Sequence, residues 1–196
     1  GITLDKEFWM PDSGEATFSL IFPTLPATVK TIDFIESDCE DCFKIWGISL
    51  NGKLPELVLP EEVKQKTNAV EILPAPQLTM GKATLSGKLL DYKHNYQLNL
   101  NAYLCELLTG NENEIPIEIK EDGSFCTAID LSAPTSLDLV MGREKISTLF
   151  MTPGEDTKII INLREISRSQ SKLLKQNKPE GEKLYFSGTM AQLNKT

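Results

Sequence analysis

The chain has 196 residues, 40 % of them apolar and 24 % charged, the make-up of an ordinary globular protein long enough for one large domain or two small ones. A formal charge of −8 at pH 7 argues against a nucleic-acid-binding surface, which needs clustered Lys and Arg, and opposes anionic lipid. No apolar run is long enough to cross a bilayer as a helix, and 4 cysteines are too few for a disulfide scaffold of this size.

Residues 1–10 begin extended and end in the aromatic pair Phe8-Trp9, and Pro11-Asp12-Ser13-Gly14 is strong turn chemistry. Residues 15–22 alternate, with Phe18, Leu20 and Phe22 on one side and Thr17 and Ser19 on the other, the pattern of a half-buried strand. Pro23 and Pro26 close it. A second strand follows at 31–36, with Ile32 and Phe34 on its apolar side. A third, within 42–50, changes phase at Trp46, so a bulge is expected near Gly47. Three strands make a meander, too little for a sandwich, and the unit is expected to be truncated, with its remainder upstream of Gly1. Residues 51–80 read as a Pro-rich connector, with a short helix opening at Pro60-Glu61-Glu62.

From Gly81 the alternation is regular. Ala83, Leu85 and Leu89 mark one strand, Leu98 to Leu104 the next, and Ile115, Ile117 and Ile119 a third. Asp122-Gly123 is hairpin-turn chemistry ahead of Phe125 and Ile129. Strands at 136–141 and 145–151 flank Gly142-Arg143-Glu144, and 157–163 follows Pro153-Gly154. The reading is mostly β: an antiparallel β-sandwich of about seven strands, prealbumin-like or Ig-like, preceded by the smaller truncated meander. A parallel sheet is not expected. Residues 1–76 form the first unit and its connector, 77–165 the sandwich, and 166–196 a polar tail with a marginal helix after Arg164 and a last strand at 184–186.

Chemistry is scarce. Cys39 and Cys42 stand in a Cys-x-x-Cys spacing, a possible disulfide or redox pair, but Glu36, Asp38, Glu40 and Asp41 surround them. Such carboxylates disfavour a thiolate. As a zinc half-site the pair lacks a second pair of ligands, since Cys105 and Cys126 are single residues in separate strands and His94 is the one histidine. No metal site and no cofactor are expected. Tyr92 and Tyr96, in a polar loop, are the candidate ligand-contact aromatics for a sugar-binding surface.

Several stretches together resemble a known family. Phe8-Trp9-Met10-Pro11-Asp12-Ser13-Gly14, Ile32-Asp33-Phe34-Ile35-Glu36 and Phe43-Lys44-Ile45-Trp46-Gly47-Ile48 are similar to the N-terminal region of TlpA-like (AhpC/TSA-type, thioredoxin-like) envelope thiol-disulfide oxidoreductases of the Bacteroides type. Asp122-Gly123-Ser124-Phe125, Pro153-Gly154-Glu155 and Tyr185-Phe186-Ser187-Gly188 fit the stretch before their catalytic domain. Cys39 and Cys42 lack the Trp-Cys-x-x-Cys context of that domain, so no catalytic residue carries over. The resemblance implies a non-catalytic accessory or docking module of an exported, periplasmic or envelope protein. Its partner would be another protein or its own C-terminal thioredoxin-like domain, with any membrane anchor outside this chain. A glycan-binding or adhesin-like sandwich, and a self-sufficient Cys39/Cys42 dithiol or metal protein, are the alternatives.

Overall fold

The computed structural model describes residues 6–17, 19, 21–35, 44–53, 56–61, 72–73, 75, 78–105, 109–170, 181–188 and 190–195. The chain divides into two compact units, Gly1–Pro55 and Glu56–Thr196.

In the first unit β1 (Thr31–Ile35) pairs antiparallel with β2 (Lys44–Ser49). Ile32 faces Ile48 and Phe34 faces Ile45, so Asp33 alone opposes Trp46 and Gly47. This is the bulge expected near Gly47. Gly47 has φ +66°, a conformation most side chains avoid, and its N–H donates to Asp33 Oδ1 at 2.8 Å. The strand expected at 15–22 does not form among its described residues. Ile21 is fully exposed, and Phe22 keeps one edge-on contact with Phe34 at 6.3 Å between ring centroids. A two-stranded ribbon has no second layer to bury such a strand against.

Among the described residues the second unit is a β-sandwich of eight strands, the seven expected and the last strand expected at 184–186. One sheet runs in the order β6 (Ser124–Leu131), β3 (Gly81–Leu90), β9 (Asp156–Asn162), β10 (Leu184–Gly188). The other runs β5 (Glu112–Ile117), β4 (Leu100–Cys105), β7 (Thr135–Met141), β8 (Glu144–Met151). An Ig constant domain divides seven strands four and three, whereas the division here is four and four. The inner faces carry the core: Leu85, Leu89, Ile129, Ile159 and Ile161 from the first sheet, Leu100, Leu137, Leu139, Leu149 and Met151 from the second. Each such side chain contributes about 1.5–3 kcal/mol on removal from water.

One pairing departs from the antiparallel expectation. β3 and β9 run parallel, with Gly87 opposite Ile159. Between them the chain runs through β4 and β5 of the second sheet, β6 of the first, and β7 and β8 of the second, the long crossover that parallel neighbours require. Gly87 lets the strands close up, because a Cβ there would meet Ile159 O at 2.0 Å and the Phe125 ring at 2.6 Å. Phe125, opposite Gly87 on β6, lays its ring over the missing side chain.

The Asp122-Gly123 turn forms, but it carries the chain from β5 in one sheet to β6 in the other. Gly123 N donates to Lys120 O at 2.9 Å, and Ile119 bridges Phe125. Asp122 accepts from Ser124 N and Ser124 Oγ, and these bonds hold its carboxyl below the usual range. The strand expected at 184–186 is β10. The helix expected after Arg164 is α1 (Leu163–Gln170), anchored by buried Leu163 and Ile166.

Candidate functional site

The residues singled out by sequence do not converge. Cys39 and Cys42 lie outside the described residues. Cys105 on β4 and Cys126 on β6 are free, exposed and in different sheets. His94 opens a single 3-10 turn, His94–Tyr96. In that turn Tyr96 is 6 % exposed, packed edge-on against Tyr92 at 6.1 Å, with Lys93 Nζ 5.7 Å from its ring centroid. The loop is polar in sequence, yet the Tyr96 ring is turned inward to complete the core. Tyr92 is half-buried, and it alone of the two offers surface to a ligand.

A different place has the form of a site. At one open side of the sandwich the edge strands β8 and β10, one from each sheet, border a cleft of about 510 Å³. The end of β9, just behind it, positions part of its lining. Asn162 is 1 % exposed and caps α1, its Oδ1 accepting from Glu165 N at 3.4 Å. Its Nδ2 donates to Glu182 O at 3.2 Å and its N to Lys183 O at 2.8 Å, fixing the segment that leads into β10. Glu165, also 1 % exposed, accepts from Arg168 Nε at 2.7 Å one turn further along α1. A carboxylate so enclosed requires a paired cation. Both residues line the cleft.

Asn194 closes one end. It is buried and accepts from Phe150 N at 2.6 Å through Oδ1, while its Nδ2 donates to Phe150 O and Met190 O, each at 3.1 Å. One carboxamide thus satisfies both backbone groups of an edge-strand residue. The 190–194 segment makes one turn, Asn194 N reaching Met190 O at 3.2 Å.

On the outer face beside the cleft, Lys145 Nζ lies 2.8 Å from Asp138, and Thr148 Oγ1 donates to the same carboxylate at 2.8 Å. The Lys145 and Thr148 hydrogen bonds hold Asp138 below its ordinary value. Further across this sheet Tyr103 is raised, first by its hydrogen bond to Glu114.

Asn162, Glu165, Arg168 and Asn194 were missed in the sequence reading. Asn162-Leu163-Arg164-Glu165 is a legible helix-start signature, a capping residue with an acid three positions on. Asn194 has no local signal, because its partner is 44 residues away. Among the described residues no group of three or more His, Cys, Asp and Glu side chains is placed to hold a metal. No protein-family model, curated protein or solved structure matches this chain.

Proposed function

We propose that the chain is a non-catalytic accessory module that docks a thioredoxin-like domain in the cell envelope, the role its resemblance to TlpA-like oxidoreductases implies. The observation that supports this reading is the uneven cover of apolar surface. The strands of the sandwich enclose its core, whereas Trp9, Met10, Ile21 and Phe22 of the first unit are each at least 60 % exposed, as are Val58, Ile72, Leu73, Leu78 and Met80 ahead of the sandwich. Exposed apolar side chains, where they gather into a patch, mark a surface for a partner. The acidic balance keeps such a surface soluble. The glycan reading lacks comparable support, because one of its two aromatics is packed inside.

The test has two arms. With the chain present, dithiothreitol reduces insulin disulfides no faster than it does alone, and acceleration would overturn the reading. Titrated with a purified TlpA-like thioredoxin domain, it binds, and Trp9→Ser with Phe22→Ser weakens binding by at least about tenfold, as loss of central aromatic anchors does. Equal binding by the double variant would overturn the assignment of the surface.

A further inference from the structure

The cleft between β8 and β10 has a feature that the docking reading does not use. Among the described residues β8 pairs only with β7 and β10 only with β9, so each presents an open edge. The registers say which backbone groups point outward. Phe150 spends its N–H and C=O on Asn194, so its pair with Ser136 is not hydrogen-bonded. Pairs alternate along an antiparallel ladder, and Thr148, opposite Asp138, therefore also turns its N–H and C=O away from β7. The short Thr148 to Asp138 side-chain bond is what a close, non-hydrogen-bonded pair allows. Ser147 Oγ donates to Thr148 O at 3.3 Å, and the carbonyl keeps a second lone pair for another donor. Across the cleft, Asn162 N bonds Lys183 O, which turns the backbone of Leu184 and Phe186 outward by the same alternation. Thr148, Leu184 and Phe186 all line the cleft.

We propose that this cleft binds an extended peptide of a partner protein, which adds as a strand to β8 at Thr148. Asn194 shows what the edge accepts: its carboxamide already occupies the neighbouring position with the donor and acceptor of a peptide group. A bound strand continues the ladder that Asn194 begins, bonds to Thr148 N and O, and lays alternate side chains against Leu184 and Phe186. Charge selects the peptide. The cleft is bordered by three cations, Arg168, Lys183 and Lys195, against two carboxylates, Glu165 and Glu182. Arg168 and Glu165 are bound to each other, and the exposed Lys183 and Lys195 remain against Glu182. In a chain of net charge −8 this is a local positive excess, which favours acidic side chains on the peptide. The cleft belongs to the second unit and the apolar residues of the docking test to the first, so the two readings are tested by different variants and fail independently.

The test uses the whole chain and three capped nine-residue peptides with valine at every second position and Glu, Ser or Lys between. By isothermal titration the Glu peptide binds with a Kd below about 1 mM and the Lys peptide binds weakest. Methylating the alternate amide nitrogens that face β8 lowers affinity by about tenfold, the loss expected of one or two ladder bonds. Thr148→Pro gives the same loss, since proline is tolerated where an edge N–H faces outward. Failure of all three peptides, equal binding of the methylated peptide, or preference for the Lys peptide would each overturn the proposal. So would a dimer by sedimentation that Thr148→Pro dissociates, because the edge would then be occupied by a second copy.

Discussion

The two units use the same strand chemistry and bury very different amounts of it. In the first, among the described residues, none is buried: β1 and β2 alternate well enough to pair, but a ribbon of two strands leaves both faces open. In the second, the same alternation is repeated in two sheets whose inner faces cover each other, and ten or more large side chains lose almost all contact with water. Alternation specifies which residues share a face. Only a second layer turns that face into a core.

Substitutions separate the two cases, and the largest effect is expected at Gly87. Gly87→Ala places a methyl into Ile159 O and the Phe125 ring, so the β3–β9 ladder must part. A loss of on the order of 3 kcal/mol or more is expected, at the top of the range for overpacking. Urea unfolding followed by circular dichroism would show it, and an unchanged midpoint would deny the close approach. Next is a matched pair of truncations. Leu139→Ala, at a side chain 0 % exposed, costs about 3 kcal/mol, whereas Ile45→Ala on β2, 42 % exposed, costs less than about 1 kcal/mol. Equal losses would erase the contrast between the units.

Thr157 tests the core in the other direction. It is 2 % exposed, and its hydroxyl has no hydrogen-bond partner among the described residues. Thr157→Val keeps the shape and removes the unsatisfied group, so it stabilises by about 1 kcal/mol, readable as a higher thermal midpoint. The smallest effect is at the surface, where Lys145 and Thr148 hold Asp138 below its ordinary value. A carboxyl depressed on folding stabilises above its unfolded pKa, about 3.9, and loses that contribution as pH falls through the folded value. The difference between the parent and Asp138→Asn is therefore present at pH 6 and shrinks as pH falls below about 3.9 through the folded value. A difference that grew toward low pH would contradict the pairing.

Much of the fold was legible in the residues. The strands around Leu85, Leu100, Ile129, Leu139 and Ile159 follow from period-two alternation, and the turns from Asp122-Gly123, Gly142 and Pro153-Gly154. The bulge followed from a phase change beside a glycine. The strand at 15–22 misled because alternation was present and a partner sheet was not. Tyr96 misled because polar neighbours in sequence say nothing about which way one ring turns. The candidate site was almost invisible: one capping signature at Asn162 marks the start of the helix that carries Glu165 and Arg168, while Asn194 and Phe150 meet only through the fold.

The sequence by itself determined a mostly β chain, the faces of its strands, and an acidic surface, because these depend on residue type and short-range spacing. The tertiary structure decided the parallel β3–β9 pairing, the four-and-four division of the sheets, and the cleft between two open edges. Each depends on which strands become neighbours after long crossovers, and hydrogen bonding between backbones carries no mark of that choice in the side chains.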